Sequence, residues 1–313
     1  MIKSAVILAG GRGSRLMPST DTCPKPLMPI ANIPMIEYVL EKIPNSVENV
    51  YFTVHHLSHK IENYFSKHPR RYAYNIVKED KPLGTGGALR HIKDKLTEDF
   101  VVFNGDVISS LNVDEMVKYH IKKKALATIA LWKVDDPTSF GKVTLTENYK
   151  ITDFVEKPNE KSDSFINAGI YIFSPDVLKY LPDKEVVSIE REVFPTIVKE
   201  GNVYGFSFDG FWIDAGTLPR FLEANKLVIK SKLLSENSDI KNTVVKGNDL
   251  RIGNNCDIGP YVSISNHVQI GDNVNIKNSI LMDYVKIGNN VKIENSIISE
   301  NRIVQEDVID KIF

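Results

Sequence analysis

Cysteine, tryptophan, net charge and long apolar runs are all scarce in this chain of 313 residues. Two cysteines, Cys23 and Cys256, are too few for a disulfide framework or a zinc site built from thiolates alone, and nothing about them calls for an oxidising compartment. Charge nearly cancels, with 39 Lys and Arg against 40 Asp and Glu. That balance gives no electrostatic reason for nucleic acid or an acidic membrane surface as a partner. The apolar run ending at Gly10 is too short to span a bilayer and lacks a small-residue cleavage site. Apolar runs elsewhere are also short, so a cytoplasmic protein is expected. What remains is an ordinary globular composition, 42% hydrophobic and 25% charged, at a length that suggests two domains.

The scarcity is uneven. Residues 1–230 hold 25 of the 28 aromatic residues and 14 of the 15 prolines. Residues 231–313 keep only Tyr261, Tyr284, Phe313 and Pro260, yet carry 13 asparagines. Two building rules are implied, with a division into 1–230 and 231–313.

The first part alternates strand-like and helical patterns. Ile2–Leu8, Val50–Val54, Tyr72–Val77, Phe100–Phe103 and Ala127–Val134 read as strands. Between them, a pattern starting at Pro34, Ile61–Phe65, Ala88–Leu96 and Val113–Lys124 read as helices. This order predicts an α/β fold with an open, doubly wound, mostly parallel sheet. From Lys142 to Phe173 strands follow one another without helices, so the sheet is expected to be mixed. Pro219–Lys232 is a last helix leading out of the domain.

The second part keeps a six-residue period. Ile252, Ile258, Ile264, Ile270 and Ile276 are evenly spaced, with Val262, Val268 and Val274 in a second series. After a one-residue slip near Met282, Ile287 and Ile293 resume it. Such a hexapeptide repeat predicts a parallel β-helix, left-handed as these coils usually are, with aliphatic residues filling a core too narrow for many aromatics. At roughly 18 residues per coil, three to four coils are expected, with Gly and Asn at corners that need positive φ.

Several segments carry chemistry. Gly10-Gly11-Arg12-Gly13 follows the first strand and can present backbone N–H groups to phosphate oxygens, with Arg15 close enough to add a fork of donors. It matches neither the P-loop nor the dinucleotide fingerprint. Lys25 sits between Pro24 and Pro26, a stiffened setting for an ammonium. Asp106 follows a strand end, where an open sheet places its ligand crevice, and Asp214 lies in a short apolar context. Either aspartate suits a hard cation. The sequence His55-His56-Leu57-Ser58-His59 straddles a strand end and a helix start, so its rings are expected to diverge into solvent. Cys23 has no evident base partner, Lys122–Lys124 reads as a solvated helix end, and Trp132 as core.

Taken in order, these segments resemble the sugar-1-phosphate nucleotidylyltransferase family. Its opening pattern of glycines, hydroxyl residue, Arg-Leu and Pro-Lys-Pro is matched by Gly10 to Leu16, Pro18 and Pro24-Lys25-Pro26, with Ser14 in place of Thr. Pro82-Leu83-Gly84-Thr85-Gly86-Gly87 resembles its nucleotide-base segment. Phe154-Val155-Glu156-Lys157-Pro158 and Asn167-Ala168-Gly169-Ile170-Tyr171 resemble its sugar-binding segments. Ser188–Pro195 and Gly210–Asp214 look most like the mannose-1-phosphate guanylyltransferase branch. The resemblance implies transfer from an NTP, GTP favoured, to a sugar 1-phosphate, with Mg²⁺ on Asp106 and Asp214. It implies NTP phosphates on Gly10, Gly11, Gly13 and Arg15, and Lys25 on the α-phosphate or the incoming phosphate. By family position, Glu79 and Gly84 face the base, Gly141, Glu156 and Asn167 the sugar, and Lys157 its phosphate.

Alternatives differ in class. Uridylyl- and thymidylyltransferases for glucose 1-phosphate share most of these segments. A bifunctional enzyme whose β-helix transfers acetyl groups would need a catalytic histidine, and His267 is the only one after residue 230. A non-catalytic regulatory subunit would typically lose Arg15, Lys25 or an aspartate, and all are present. The β-helix is expected to serve a homo-oligomer.

Overall fold

The computed structural model describes residues 2–235 and 243–313. Residues 236–242, which fall at the start of the second sequence domain, lie outside the described residues. Packing divides the chain into two compact units. One comprises residues 1–11 and 39–212, the other residues 12–38 and 213–313. Residues 12–38 therefore pack with the C-terminal part, although the sequence pattern groups them with the α/β part.

The first unit is built on a nine-stranded mixed sheet. Its parallel portion runs Phe100–Asn104, Ser4–Leu8, Asn49–Val54, Ala73–Lys78. Ser164–Phe173 joins antiparallel to Phe100–Asn104, and Gly141–Leu145 and Ile151–Glu156 extend that side. Ala127–Val134 pairs with Ser164–Phe173 and with Val203–Ser207. The run of strands without helices thus forms the antiparallel portion, as its pattern predicts. The central strands are apolar on both faces because helices and the inner sheet face cover them: Ala5, Val6, Ile7, Val101 and Val102 are all fully buried. The core centres on Phe100, Tyr171, Phe173 and Phe194, whose rings meet at 5.0–6.1 Å with Phe154. Burying each such ring contributes about 1.5–3 kcal/mol.

Helix boundaries differ from the sequence pattern where glycine intervenes. The helix expected over Ala88–Leu96 runs instead over Gly84–His91, followed by a single 3-10 turn at Lys93–Lys95. Three glycines in its first turn lower helix propensity, but Gly86 N–H and Gly87 N–H both donate to Val187 O, which holds that turn in place. Trp132 is half-buried against Phe208 rather than in the core.

In the second unit, residues 244–309 form three four-stranded parallel sheets, one per face, in the arrangement of a left-handed β-helix. From Val262 on, both six-spaced series point inward, and Val262, Ile264, Val268, Ile270, Val274 and Ile276 are buried together, whereas Ile252 in the first coil is exposed and Ile258 only partly buried. The predicted one-residue slip is visible in the register: Val244 pairs with Val262 but Ser263 with Ile280, whereas the pairing of Ile293 with Val308 is shorter by two further residues, which the period did not signal.

The corners are turned mainly by asparagine. Asn255, Asn273, Asn278, Asn290, Asn295 and Asn301 all have positive φ, and His267 and Tyr284 take the same role. Asn side chains stack between coils, with Asn255 donating to Asn273 and Asn273 to Asn290 at 3.3 and 3.1 Å. Gly253 and Gly271 answer a different need. A Cβ on Gly253 would lie 2.6 Å from the backbone of Gly271 one coil away, so only glycine lets the coils stack at that corner.

Candidate active site

The parallel strands end along one edge of the first unit's sheet. Ser4–Leu8 leads to Gly10 and Gly11, Asn49–Val54 to His55, Ala73–Lys78 to Glu79, and Phe100–Asn104 to Gly105 and Asp106. An open α/β sheet offers its ligand crevice at that edge.

Glu79 is the most enclosed of these carboxylates, at 7% exposure. Its Oε2 accepts the Leu83 N–H at 3.2 Å, and its carbonyl accepts from His55 Nδ1 at 2.8 Å. Burial raises its pKa above the usual carboxylate value, opposed by the Leu83 hydrogen bond and by nearby His55 and His91. Gly10 has no side chain because Glu79 occupies that space: a Cβ there would sit 3.0 Å from Oε2. Gly11 differs, since a Cβ there would meet nothing within 4 Å, leaving an exposed backbone face free for a ligand. His55 is therefore tied to Glu79, not simply solvated as its sequence suggests, while His59 is exposed. Gly84 has φ +74, and a Cβ on it would collide with the Val187 carbonyl, so packing alone requires glycine there.

Gly105 folds tightly over the strand end, donating its N–H to Leu8 O at 2.9 Å. That turn carries Asp106, half-buried, at the end of the crevice.

Asn167 and Glu156, with Gly141 beside Glu156, neighbour the buried Tyr171, which sequence reading placed in a motif without a role. Asn167 Nδ2 donates to Tyr171 Oη at 2.9 Å, and Asn167 Oδ1 accepts the Gly169 N–H. Tyr171 Oη donates to Glu190 Oε1 at 3.4 Å, and Glu190 Oε2 accepts from Thr85 and Ser188 hydroxyls at 2.8 and 2.7 Å. Glu190 thus connects the segment 84–87, through Thr85, to the segment 167–171, through Tyr171. No spacing distinguished it from Glu192, which instead pairs with Lys184. Glu156 approaches Gly141, where a Cβ would lie 3.0 Å from its Oε2. Burial raises the Glu156 pKa first, repulsion from Glu190 raises it further, and Lys157 and Arg191 oppose both. Lys157 is exposed, but its backbone is fixed: φ is +52 and its N–H donates to Phe140 O at 2.8 Å.

The second unit holds Gly13, Arg15, Lys25 and Asp214. Gly13 has φ +70, and a Cβ on it would press on Thr20 Cγ2 at 2.9 Å and Lys25 Cβ at 3.2 Å. Arg15 and Asp214 flank Gly216, where a Cβ would lie 2.8 Å from both Arg15 Nη2 and Asp214 Oδ1. Gly216 therefore leaves room for both the guanidinium and the carboxylate beside it, a role its sequence position did not signal. No cluster of three or more His, Cys, Asp or Glu residues suited to a metal occurs among the described residues. Mg²⁺ needs no such cage, because one or two carboxylates plus substrate phosphates and water complete its octahedron. Asp106 in the first unit and Asp214 in the second are each carboxylates of the hard-oxygen kind that Mg²⁺ takes.

An α/β sheet with a glycine loop, basic residues and single aspartates, joined to a β-helix, defines a phosphate-handling transferase architecture. The chain belongs to the nucleotidyl transferase family, whose model matches residues 4–231. The model of the GMPPB C-terminal domain matches residues 229–310. The chain is 34% identical to the bifunctional protein GlmU of Methanocaldococcus jannaschii over 252 residues, covering 78% of this chain and 59% of that protein. It is 37% identical to a mannose-1-phosphate guanyltransferase of Saccharomyces cerevisiae over 235 residues, covering 72% of this chain and 64% of that one. A mannose-1-phosphate guanylyltransferase of Mycobacterium tuberculosis is 34% identical, with 72% and 64% covered. The chain thus spans about three fifths of the length of several of these relatives. Among solved structures, a Bacillus anthracis protein described as a glucose-1-phosphate thymidylyltransferase superposes with a TM-score of 0.66 at 28% identity, covering 72% of this chain and 95% of that one. No helix among the described residues is long and apolar enough to cross a membrane.

Proposed function

We propose that the chain transfers a guanylyl group from GTP to mannose 1-phosphate, forming GDP-mannose and pyrophosphate. The observation that carries the choice of base is Glu79. An ionised carboxylate only accepts hydrogen bonds. Guanine presents two adjacent donors, N1–H and the N2 amino group, on its Watson–Crick edge. Uracil and thymine present one donor flanked by acceptors that a carboxylate repels, and adenine's N1 is itself an acceptor. Such a matched pair discriminates by about 1–3 kcal/mol, or ~10–100-fold. The relatives named for mannose 1-phosphate and GTP support the choice of sugar and base.

A phosphate oxygen of the sugar 1-phosphate attacks the α-phosphorus in line, and pyrophosphate leaves. The acceptor is already an anion, so no strong base is needed. The protein must instead align two polyanions and offset their repulsion. Gly10, Gly11 and Gly13 present backbone N–H groups to the NTP phosphates, and Arg15 adds its fork. Lys25 neutralises the α-phosphate, Lys157 the sugar phosphate, and Glu156 and Asn167 take sugar hydroxyls beside Gly141. Gly84 opens the helix that faces the base. Asp106 and Asp214 would hold Mg²⁺, which would supply charge neutralisation at the phosphates.

The β-helix leaves Tyr284, Ile303 and Ile309 exposed on more than one face, apolar area of the kind a second copy of the chain covers, so a homo-oligomer is expected.

The test is base selectivity. Wild type should release pyrophosphate from GTP at least ~10-fold more efficiently than from UTP, and Glu79→Gln should narrow that ratio by a similar factor. An unchanged ratio in Glu79→Gln would remove Glu79 from base recognition.

A further inference from the structure

Residues 12–38 carry Arg15 and Lys25, yet they pack with the β-helix. Three hydrogen-bonded contacts account for this. First, Ser19 Oγ and Ser299 Oγ share a buried hydrogen bond of 2.8 Å. Second, Asn32 Nδ2 donates to Ile264 O at 2.8 Å, and Ser265 Oγ donates to Asn32 Oδ1 at 3.3 Å. Third, the buried Asn225, on the helix Leu218–Ser235, accepts from Ala31 N–H at 2.8 Å and from Ser263 Oγ at 2.7 Å.

Backbone conformation points the same way. Pro29–Ile30 and Ile33–Pro34 form a two-stranded hairpin whose turn is Ala31-Asn32. Both turn residues have positive φ, 48° and 61°. A two-residue turn of this hand suits a hairpin, but alanine is a poor occupant of it. Strained residues persist where their surroundings over-determine them, and here the surroundings are Asn225, Ile264 and Ser265. From the Ser19 anchor the connection continues inward: the neighbouring Thr20 donates its hydroxyl to Gly13 O at 3.0 Å, and Gly13 O also accepts the Leu16 N–H. Lys25 lies between the two anchors, in the turn Lys25–Leu27.

We infer that the β-helix is a positioning device for the phosphate-binding segment, acting through Ser299, Ile264 and Ser265 on Ser19 and Asn32, and so setting where Arg15 and Lys25 stand. Its role then reaches beyond assembly. A ligand or partner that deforms the coils at Ser263–Ser265 or Ser299 would change turnover without touching substrate. The catalytic part of the inference rests on the nucleotidyl-transfer reading; the mechanical part does not.

The test uses the full chain carrying Asn32→Gly with Ser299→Ala. Glycine keeps the positive-φ turn while removing the side-chain tether. Amide hydrogen exchange should speed up in Gly13–Leu16 and Lys25–Leu27 and stay unchanged in Ser4–Leu8. Turnover should fall by at least ~10-fold, with KM for either substrate moving less, because misplaced groups cost more in the transition state than in binding. Val291→Ala serves as the control, since it weakens the same β-helix core without removing any of the tether's hydrogen bonds. It should lower the melting temperature while leaving turnover at 25 °C and loop exchange unchanged. Unchanged loop exchange in the double variant, or an equal change in Val291→Ala, would overturn the inference. A wild type with no nucleotidyl transfer would defeat the reading of function instead, and the exchange measurement would still decide the tether.

Discussion

At the scale of single residues, the proposed reaction makes its clearest demands on charged side chains. Lys25→Ala and Asp106→Ala should each lower turnover by at least ~100-fold, the low end of what one preorganised electrostatic group contributes. Steady-state pyrophosphate release checks this, and wild-type rates from a folded Asp106→Ala variant would remove its metal role. Gly11→Ala makes a subtler point. No protein atom opposes the new Cβ, so the variant should melt like wild type while KM for the nucleotide rises. A drop in melting temperature with unchanged KM would show that Gly11 serves the fold instead. The local backbone geometry at the glycine loop, Lys25 and Asp106 was legible because glycines, prolines and strand ends mark it directly. Glu190, Tyr171 and Gly216 were not, because their significance comes from partners far away in sequence: Thr85 for Glu190, Asn167 for Tyr171, and Arg15 for Gly216.

At the scale of elements, periodicity was the reliable signal. Isoleucine every six residues specified the coils, and the alternation of strand and helix specified the sheet. Corner chemistry was only half legible: asparagine holds most positive-φ positions, while Gly253 and Gly271 are needed for close stacking. The helix Val113–Lys123 hides a further consequence. His120 is buried, with Nδ1 2.8 Å from Thr128 Oγ1 and Nε2 3.6 Å from Asp99. Burial lowers its pKa to about 4. A histidine that resists protonation when folded loses stability as pH falls, because the unfolded chain binds the proton first. The loss begins near the ordinary value of 6.5 and is complete near 4. Its contribution at pH 5 should be about 2 kcal/mol below that at pH 7. Asp99, whose pKa burial raises, acts in the opposite sense, so the imidazole is isolated by comparing wild type with His120→Gln in urea at both pH values. Equal pH dependence in the two proteins would contradict the assignment.

The molecule as a whole divides in two ways. Composition and the two family models put the joint near residue 230, whereas packing gives residues 12–38 to the C-terminal unit. The sequence pattern could not reveal this, since hydrogen bonds such as Ser19 to Ser299 leave no periodic trace. Assembly belongs to this scale too: light scattering should return a multiple of the 35.3 kDa chain, and a monomer at every concentration would exclude the homo-oligomer.

Pyrophosphate release across GTP, UTP, dTTP, ATP and CTP, each paired with mannose, glucose and N-acetylglucosamine 1-phosphate, tests the central claim most directly. The account predicts the highest kcat/KM for GTP with mannose 1-phosphate, dependent on Mg²⁺ and on Lys25. Preference for a pyrimidine nucleotide, or no release from any pair, would contradict it.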